Sequence, residues 1–263
     1  MSLQPTLSVS RIKENLGTRL FGAEVLVFDE VESTNDLAKR HVGRGEGLIL
    51  IADAQTQGKG RSGRSWHSPG GLGIYLSALL KPPTPHPAPL TLMAGVAGVS
   101  ALKAFVARPS FEPFLKWPND ILTHNGKLAG ILCEWCGGES GWLVIGIGIN
   151  VNHRAADFPP SLAGQATSLQ METGAPIDRV ELIRSLIVHL DREYHNWLLK
   201  GTADLVKKWS DHTEMFGKKI TLRRGDSLFE GTAERLDGQG RLVVRLATGS
   251  EMAFDGGEAT LSP

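Results

Sequence analysis

The chain of 263 residues has only two cysteines and two tyrosines, no excess of either charge sign and no long apolar run. Each shortage removes a class of protein. Two cysteines cannot build a disulfide framework, which fits a reducing compartment. Lys and Arg number 28 and Asp and Glu number 28, so wholesale electrostatic binding to nucleic acid or an anionic membrane is not favoured. The most apolar stretch, LTLMAGVAGVSAL at residues 90–102, is shorter than the roughly 20 residues of a membrane helix and rich in Gly and Ala. It is expected to be a buried helix with closely packed backbone. The opening residues MSLQPTLSVSRIKENLG lack the apolar centre of a secretory signal. With 41% hydrophobic and 21% charged residues the composition is globular, and the chain is long enough for a full core and a second small unit. A cytoplasmic protein without a membrane partner is the expectation.

One shortage is local. Between Ala54 and Phe111 there is no Asp or Glu, while Lys59, Arg61, Arg64, Lys81, Lys103 and Arg108 fall in that stretch. Near its start lies GKGRSGRSW (residues 58–66), a glycine-rich, cationic loop suited to an anion. It formally fits the dinucleotide fingerprint at Gly58, Gly60 and Gly63, but Pro69, Gly70 and Gly71 forbid the helix that fingerprint needs. It also fits a Walker A loop with Arg64 in place of lysine, and the same missing helix and the change of cation count against that. A solvated basic loop is the plain alternative.

The pattern predicts strands at residues 23–30, 47–55 and 73–81 and a short one in FLKWP. A helix should be capped by Ser33 or Thr34, and a hairpin should turn at Asn125–Gly126. After a GGESG turn another strand runs through WLVIGIGINVN. A helix at residues 178–199 should end at Gly201, with a second helix behind it. From residue 214 short strands with glycine turns predict a small β-barrel, giving units at 1–213 and 214–263.

Three further stretches accompany the loop. KWPND (Lys116–Asp120) ends a strand with a cation, an aromatic and oxygen ligands, GKLAG (residues 126–130) opens a strand with Lys127, and GIGINVN presents Gly146 and Gly148 on one strand face. Lys116 could snorkel at a sheet end, Lys127 could point outward, and the glycines could receive a packed helix instead of a flat ligand. Cys133-x-x-Cys136 has no second pair, and its spacing on a strand sends the side chains to opposite faces. The eight histidines show no metal-ligand spacing, and no G-x-S-x-G elbow is present.

These motifs together, STND, Q-x-x-G-K-G-R-x-G-R-x-W, KWPND, GKLAGIL-E and GIGINVN followed by the barrel tail, resemble the biotin protein ligases in order and spacing over nearly the whole chain. The resemblance implies an α+β fold: a mixed central sheet flanked by helices, like a class II synthetase, with a small SH3-like C-terminal β-barrel. It implies activation of biotin with ATP and Mg²⁺ to biotinoyl-5′-AMP, with release of pyrophosphate. The biotinoyl group then passes to one lysine of a biotin carboxyl carrier protein, such as that of acetyl-CoA carboxylase. Ser33, Thr34, Asn35 and Gln55 would bind the ureido end of biotin. Lys59, Gly60 and Arg61 would wrap the carboxylate, and Lys127 would reach carboxylate and adenylate oxygens. Arg61, Arg64, Trp66, Asn119, Asp120 and Asn150 would serve ATP, with Asp120 also the Mg²⁺ residue. Lys127 and Arg61 would carry most of the transition-state stabilisation, with Lys116 as a supporting cation.

The sequence departs from the family's usual GRGR at Lys59, which keeps charge but loses bidentate geometry. Family members are often dimers through the catalytic sheet, so a homodimer is the matching expectation. Members that repress transcription carry an N-terminal DNA-binding domain. Here few residues precede the first strand, and the tail from Glu214 has seven basic against eight acidic residues, so no DNA binding is expected. The rivals are a lipoate-protein ligase, an octanoyl transferase, or a non-catalytic biotin sensor.

Overall fold

The computed structural model describes residues 7–83, 86–136 and 141–261. In chain order the elements are helix α1 (Val9–Lys13), strand β1 (Val25–Val31), helix α2 (Thr34–Arg40), strands β2 (Ile49–Gln55) and β3 (Gly73–Leu80), and helix α3 (Ala88–Val106). Strands β4 (Phe114–Lys116), β5 (Asp120–Thr123), β6 (Gly126–Cys136) and β7 (Trp142–Asn150) follow, then helices α4 (Leu169–Thr173) and α5 (Arg179–Ser210). The chain ends in β8 (Lys219–Arg224), β9 (Ser227–Leu236), β10 (Leu242–Leu246), β11 (Glu251–Phe254) and β12 (Glu258–Leu261).

Seven strands form one sheet in the order β1-β2-β3-β7-β6-β5-β4, with β1 and β2 parallel and every other pair antiparallel. The period of two along each strand divides its residues between two faces. On β3, Ile74, Leu76, Ala78 and Leu80 enter the large core with residues of α3 and α5, which leaves Tyr75, Ser77 and Leu79 on the other face. On β7, Leu143, Ile145, Ile147 and Ile149 do the same, while Val144 joins a smaller cluster with Leu79 and Ala38 of α2. The site residues expected from the sequence gather on the side of this second face.

The apolar stretch is a core helix. Among the described residues α3 alone is long and apolar enough to cross a membrane, but 67% of its most apolar window is buried in the protein. Its glycines permit close approach: a Cβ at Gly98 would lie 2.7 Å from Ile121 Cδ1, and one at Gly95 would lie 3.1 Å from Leu115 Cδ2. Helix α5 is broken at Gly201, where φ is 77° and ψ is −177°, so two helical segments meet at the expected position.

The five C-terminal strands form a second, antiparallel sheet in the order β11-β10-β9-β8-β12, as an SH3-like unit requires. Its apolar residues Ile220, Leu222, Val244 and Phe254 are continuous with the large core through Met215 and Trp117. Strands β11 and β12 are separated by the residues around Gly256 and Gly257, one of the glycine turns expected in this unit. The hairpin turn also differs from expectation. Strand β5 ends at Thr123 and β6 starts at Gly126, so His124 and Asn125 form the turn. Gly126, at φ 140°, is instead pressed against the carbonyl of Gln165. The turn expected at residues 137–141 falls, for 137–140, outside the described residues.

Candidate active site

One cavity of about 350 Å³ opens on the second face of the large sheet. Every site residue expected from the sequence lines it: Ser33, Thr34, Asn35, Gln55, Lys59, Gly60, Arg61, Arg64, Trp66, Lys116, Asn119, Asp120, Lys127 and Asn150. They come from five separate stretches of chain, and the sheet brings them together.

One end is neutral and polar. Ser33 caps α2, its hydroxyl accepting from the Asp36 N–H at 3.4 Å, and this cap sets Thr34 and Asn35 at the first turn. The Thr34 N–H and hydroxyl both donate to Gln55 Oε1, at 2.8 and 3.0 Å, and Gln55 Nε2 donates to Ser68 Oγ at 2.9 Å. Ser77 of β3 places its hydroxyl 2.8 Å from Thr34 Oγ1 and 2.7 Å from Asn35 Oδ1. Ser33, Thr34 and Asn35 are 2–4% exposed, so this end is prebuilt from hydroxyls and carboxamides that both donate and accept.

The other end is charged. The loop folds on itself as a miniature hairpin, Gly60 N–H donating to the Arg64 carbonyl at 2.7 Å and Lys59 bridged to Ser65. Ser62 at its tip has φ 55°, a left-handed conformation that a serine adopts at some cost. Arg61 donates to Asn119 Oδ1 at 3.2 Å and to the Gly257 carbonyl at 3.1 Å, and Arg64 pairs with Glu258 at 2.6 Å. Burial lowers the pKa of Arg61, yet a guanidinium stays charged. Lys127 Nζ sits 2.7 Å from Asp120 Oδ1, an ion pair without a well-directed hydrogen bond, and 5.4 Å from the centre of the Trp66 ring. Backbone bonds fix Lys127 in place: its N–H donates to the Gln165 carbonyl at 2.8 Å, and its carbonyl accepts from Thr167 N–H at 3.0 Å. Lys127 therefore points into the site, not outward.

The glycines of β6 and β7 serve both expected purposes in part: they line the cavity, and Gly146 receives the first turn of α2 through Asn35, so their near space is filled by the protein's own site residues. A Cβ at Gly146 would strike the Asn35 carboxamide, and one at Gly148 would strike the Trp66 indole. Gly130 supports the same ring, which a Cβ there would approach to 3.0 Å. The Trp66 Nε1–H is buried against Gly148 of β7 and has no hydrogen-bond partner among the described residues.

Sequence reasoning missed several parts. Glu258 comes from the far C-terminal sheet, and residues 158–166 wall the cavity through Phe158, Leu162, Gln165 and Ala166. Behind this wall His153 is fully buried, stacks on Phe158 at 4.9 Å and has no hydrogen-bond partner on either ring nitrogen. Burial, then the neighbouring His67, pushes its pKa down to about 4. No local motif marks these residues. The cysteines behave as expected: Cys133 packs on the large core and Cys136 in the small cluster, on opposite faces of β6. Burial pushes the Cys133 thiol up to about 12, so it is no thiolate nucleophile at neutral pH.

Known proteins are similar to this chain in sequence and fold. The family model described as the biotin/lipoate A/B protein ligase family matches residues 27–152, and that of the biotin protein ligase C terminal domain matches residues 215–262. A protein of Bacillus spizizenii, the bifunctional ligase/repressor BirA, is 34% identical over 254 residues, covering 94% of this chain and 77% of its own length. The biotin–[acetyl-CoA-carboxylase] ligase of Mycobacterium tuberculosis is 31% identical over 251 residues, covering 92% of this chain and 91% of its own. A solved structure of a biotin protein ligase from Aquifex aeolicus in complex with biotin and ATP has a TM-score of 0.80 at 29% identity, with 91% of this chain and 99% of that one covered.

Proposed function

This chain belongs to the biotin protein ligase family, and we propose that its cavity binds biotin and ATP, joins them as biotinoyl-5′-AMP, and passes the biotinoyl group to a lysine of a biotin carboxyl carrier protein. The observation that carries this reading is the two-ended cavity, with Thr34, Asn35 and Gln55, backed by Ser77, at its neutral end and Lys127, Arg61 and Arg64 at its charged end. A ureido ring presents two N–H donors and a carbonyl acceptor, which hydroxyls and carboxamides can meet. The dithiolane ring of lipoate has neither, so it gains none of the hydrogen bonds that the ureido ring can add to the remaining donors and lone pairs of these groups. Biotin is therefore favoured over lipoate.

In the first step a biotin carboxylate oxygen bonds to the α-phosphorus and the bond from that phosphorus to the bridging oxygen breaks, releasing pyrophosphate. Two anions must meet for this. Lys127 and Arg61, held by backbone and Asn119 contacts, supply fixed positive charge where the negative charge concentrates. Lys116 adds to the field, while Arg64, Trp66, Asn119 and Asn150 hold the nucleotide. Lys59 and Gly60 close over the carboxylate and exclude water from the mixed anhydride. In the second step the acceptor lysine amine attacks the acyl carbon, loses a proton and displaces AMP.

Among the described residues no group of three or more His, Cys, Asp or Glu side chains could hold a metal ion. Mg²⁺ would enter with the triphosphate, and Asp120 would be the residue to hold it. Bound there, it would offset phosphate charge. The chain reads as two units, 1–213 and 214–263. Gly257 and Glu258 of the second contact Arg61 and Arg64 of the first, which supports a role for it in closing the nucleotide end. Two thiols and a largely buried α3 fit a cytoplasmic enzyme.

The test is acceptor labelling. Incubated with MgATP, labelled biotin and a purified carrier domain of acetyl-CoA carboxylase, the protein should label one carrier lysine only when ATP is present, and excess lipoate should not compete. Labelling with lipoate in preference to biotin, or without ATP, would assign the protein to one of the sister activities.

A further inference from the structure

Lys59 does not spend its charge on the cavity. Its ammonium pairs with the Asp36 carboxylate of α2 at 2.5 Å. The other Asp36 oxygen lies 3.4 Å from Lys39 Nζ, which also reaches Glu134 Oε1 of β6 at 2.7 Å. Glu134 Oε2 in turn accepts from Asn35 Nδ2 at 2.7 Å, and Asn35 Oδ1 lies 2.7 Å from the Ser77 hydroxyl. The result is an unbroken chain of alternating charge from the loop, through α2 and β6, to the neutral end of the cavity. Its inner members are less than a third exposed: the Asp36 and Lys39 side chains at 29% and Glu134 at 26%. Burial alone would raise the Asp36 pKa, but its two lysine partners outweigh burial and hold it below the usual value.

Two features set this chain apart from scattered surface pairs. It starts and ends on cavity-lining residues, Lys59 and Asn35. In addition, the bridge between Lys59 and Ser65 joins the two limbs of the loop, so anchoring Lys59 anchors the backbone from which Arg61 and Arg64 project. An arginine at position 59 is not needed for this task, because a compact ammonium meets a single carboxylate oxygen well.

We propose that Asp36 is a positioning residue that latches the loop of residues 58–65 to α2 and, through Lys39, Glu134 and Asn35, registers the charged end of the cavity against its neutral end. This rests on the reading of the neutral end as the biotin pocket. The latch holds the loop at the cavity mouth before ligand arrives, lowering the ordering cost that binding would otherwise meet. Arg64 is tethered separately by Glu258, so the latch should govern biotin more than ATP.

The test compares wild type with D36N, which keeps shape and removes charge, with D36E, which keeps charge, and with K59M at the other end of the pair, where the Lys59 side chain is 44% exposed and its loss is no threat to folding. In the unliganded protein, tryptic cleavage after Arg61 and Arg64 should quicken about fivefold in D36N and K59M and stay near wild type in D36E. In biotin-dependent pyrophosphate release, the KM for biotin should rise about fivefold in D36N and K59M, with the KM for ATP changed less than twofold. Cleavage of D36N at the wild-type rate overturns the latch, as does equal loosening in D36N and D36E or an unchanged KM for biotin. Absence of biotin-dependent release in the wild type would remove the proposed function, and the proteolysis comparison would still decide the latch.

Discussion

The two ends of the cavity solve recognition in opposite ways. At the neutral end Ser33, Thr34 and Asn35 are almost fully buried and bond to uncharged groups on α2, β2 and β3, with one carboxylate, Glu134 of β6, behind Asn35. At the charged end the side chains of Lys59, Arg64 and Glu258 are 44%, 57% and 48% exposed, and the contributing segments come from the loop, the β5–β6 hairpin and the C-terminal sheet. The cations there are partnered by the protein's own carboxylates: Lys59 by Asp36, Lys127 by Asp120, Arg64 by Glu258. A neutral ring thus meets a finished surface, whereas a polyanion must exchange places with carboxylates already present. Such exchange weakens ground-state binding of the anion and leaves the cations free to act as negative charge gathers on phosphorus.

The contrast can be broken first at Lys127, which belongs to the reaction more than to binding. Lys127→Ala should slow adenylate formation by about 10²–10³-fold while leaving biotin affinity within a few-fold, measured by single-turnover kinetics beside calorimetric titration. At the neutral end the effect should be inverted. Thr34→Val removes a hydroxyl that both donates to Gln55 and faces Ser77, so biotin affinity should fall about 10- to 100-fold, with the residual rate per bound complex nearly unchanged.

A third prediction concerns the wall behind the charged end. His153 titrates at about 4 when folded, below its ordinary 6.5. Because the unfolded chain then binds the extra proton, its contribution is fully present above about pH 6.5 and is lost as pH falls towards 4. Acidification from pH 7 to 5 should cost on the order of 2 kcal/mol through this residue, and His153→Phe should flatten that part of the stability–pH curve in denaturant titrations. The smallest effect is expected at the exposed pair. Glu258→Gln should change the KM for ATP by roughly two- to fivefold or less, an effect that fades with added salt, and leave the KM for biotin alone.

Legibility in the sequence followed the same division. Ser33–Asn35, Gln55, the loop, Asn119–Asp120, Lys127 and Asn150, all of which line the cavity, were legible because each lies in a short contiguous motif that resembles the biotin protein ligases. The strands of the large sheet and the break at Gly201 were readable from periodicity and glycine. What was hidden needs the fold to exist. Glu258 reaches Arg64 across 194 residues of sequence, and Glu134 reaches Asn35 across 99. The partner of Lys59 was equally invisible, since an acid 23 positions away in a different element leaves no periodic trace. Gly146 and Gly148 were recognised as bare backbone, but only the folded chain shows that Asn35 and Trp66 fill the space above them. The hairpin turn slipped by one residue because Gly126 is needed where Gln165 presses on the strand, a tertiary demand that local turn chemistry does not contain.

The most direct test of the central claim is pyrophosphate release under single-turnover conditions with MgATP and biotin, MgATP and lipoate, and MgATP alone. A burst that requires biotin and disappears in Lys127→Ala is the predicted result. Tight biotin binding with no release of pyrophosphate would contradict the account and leave a biotin-binding protein without catalysis.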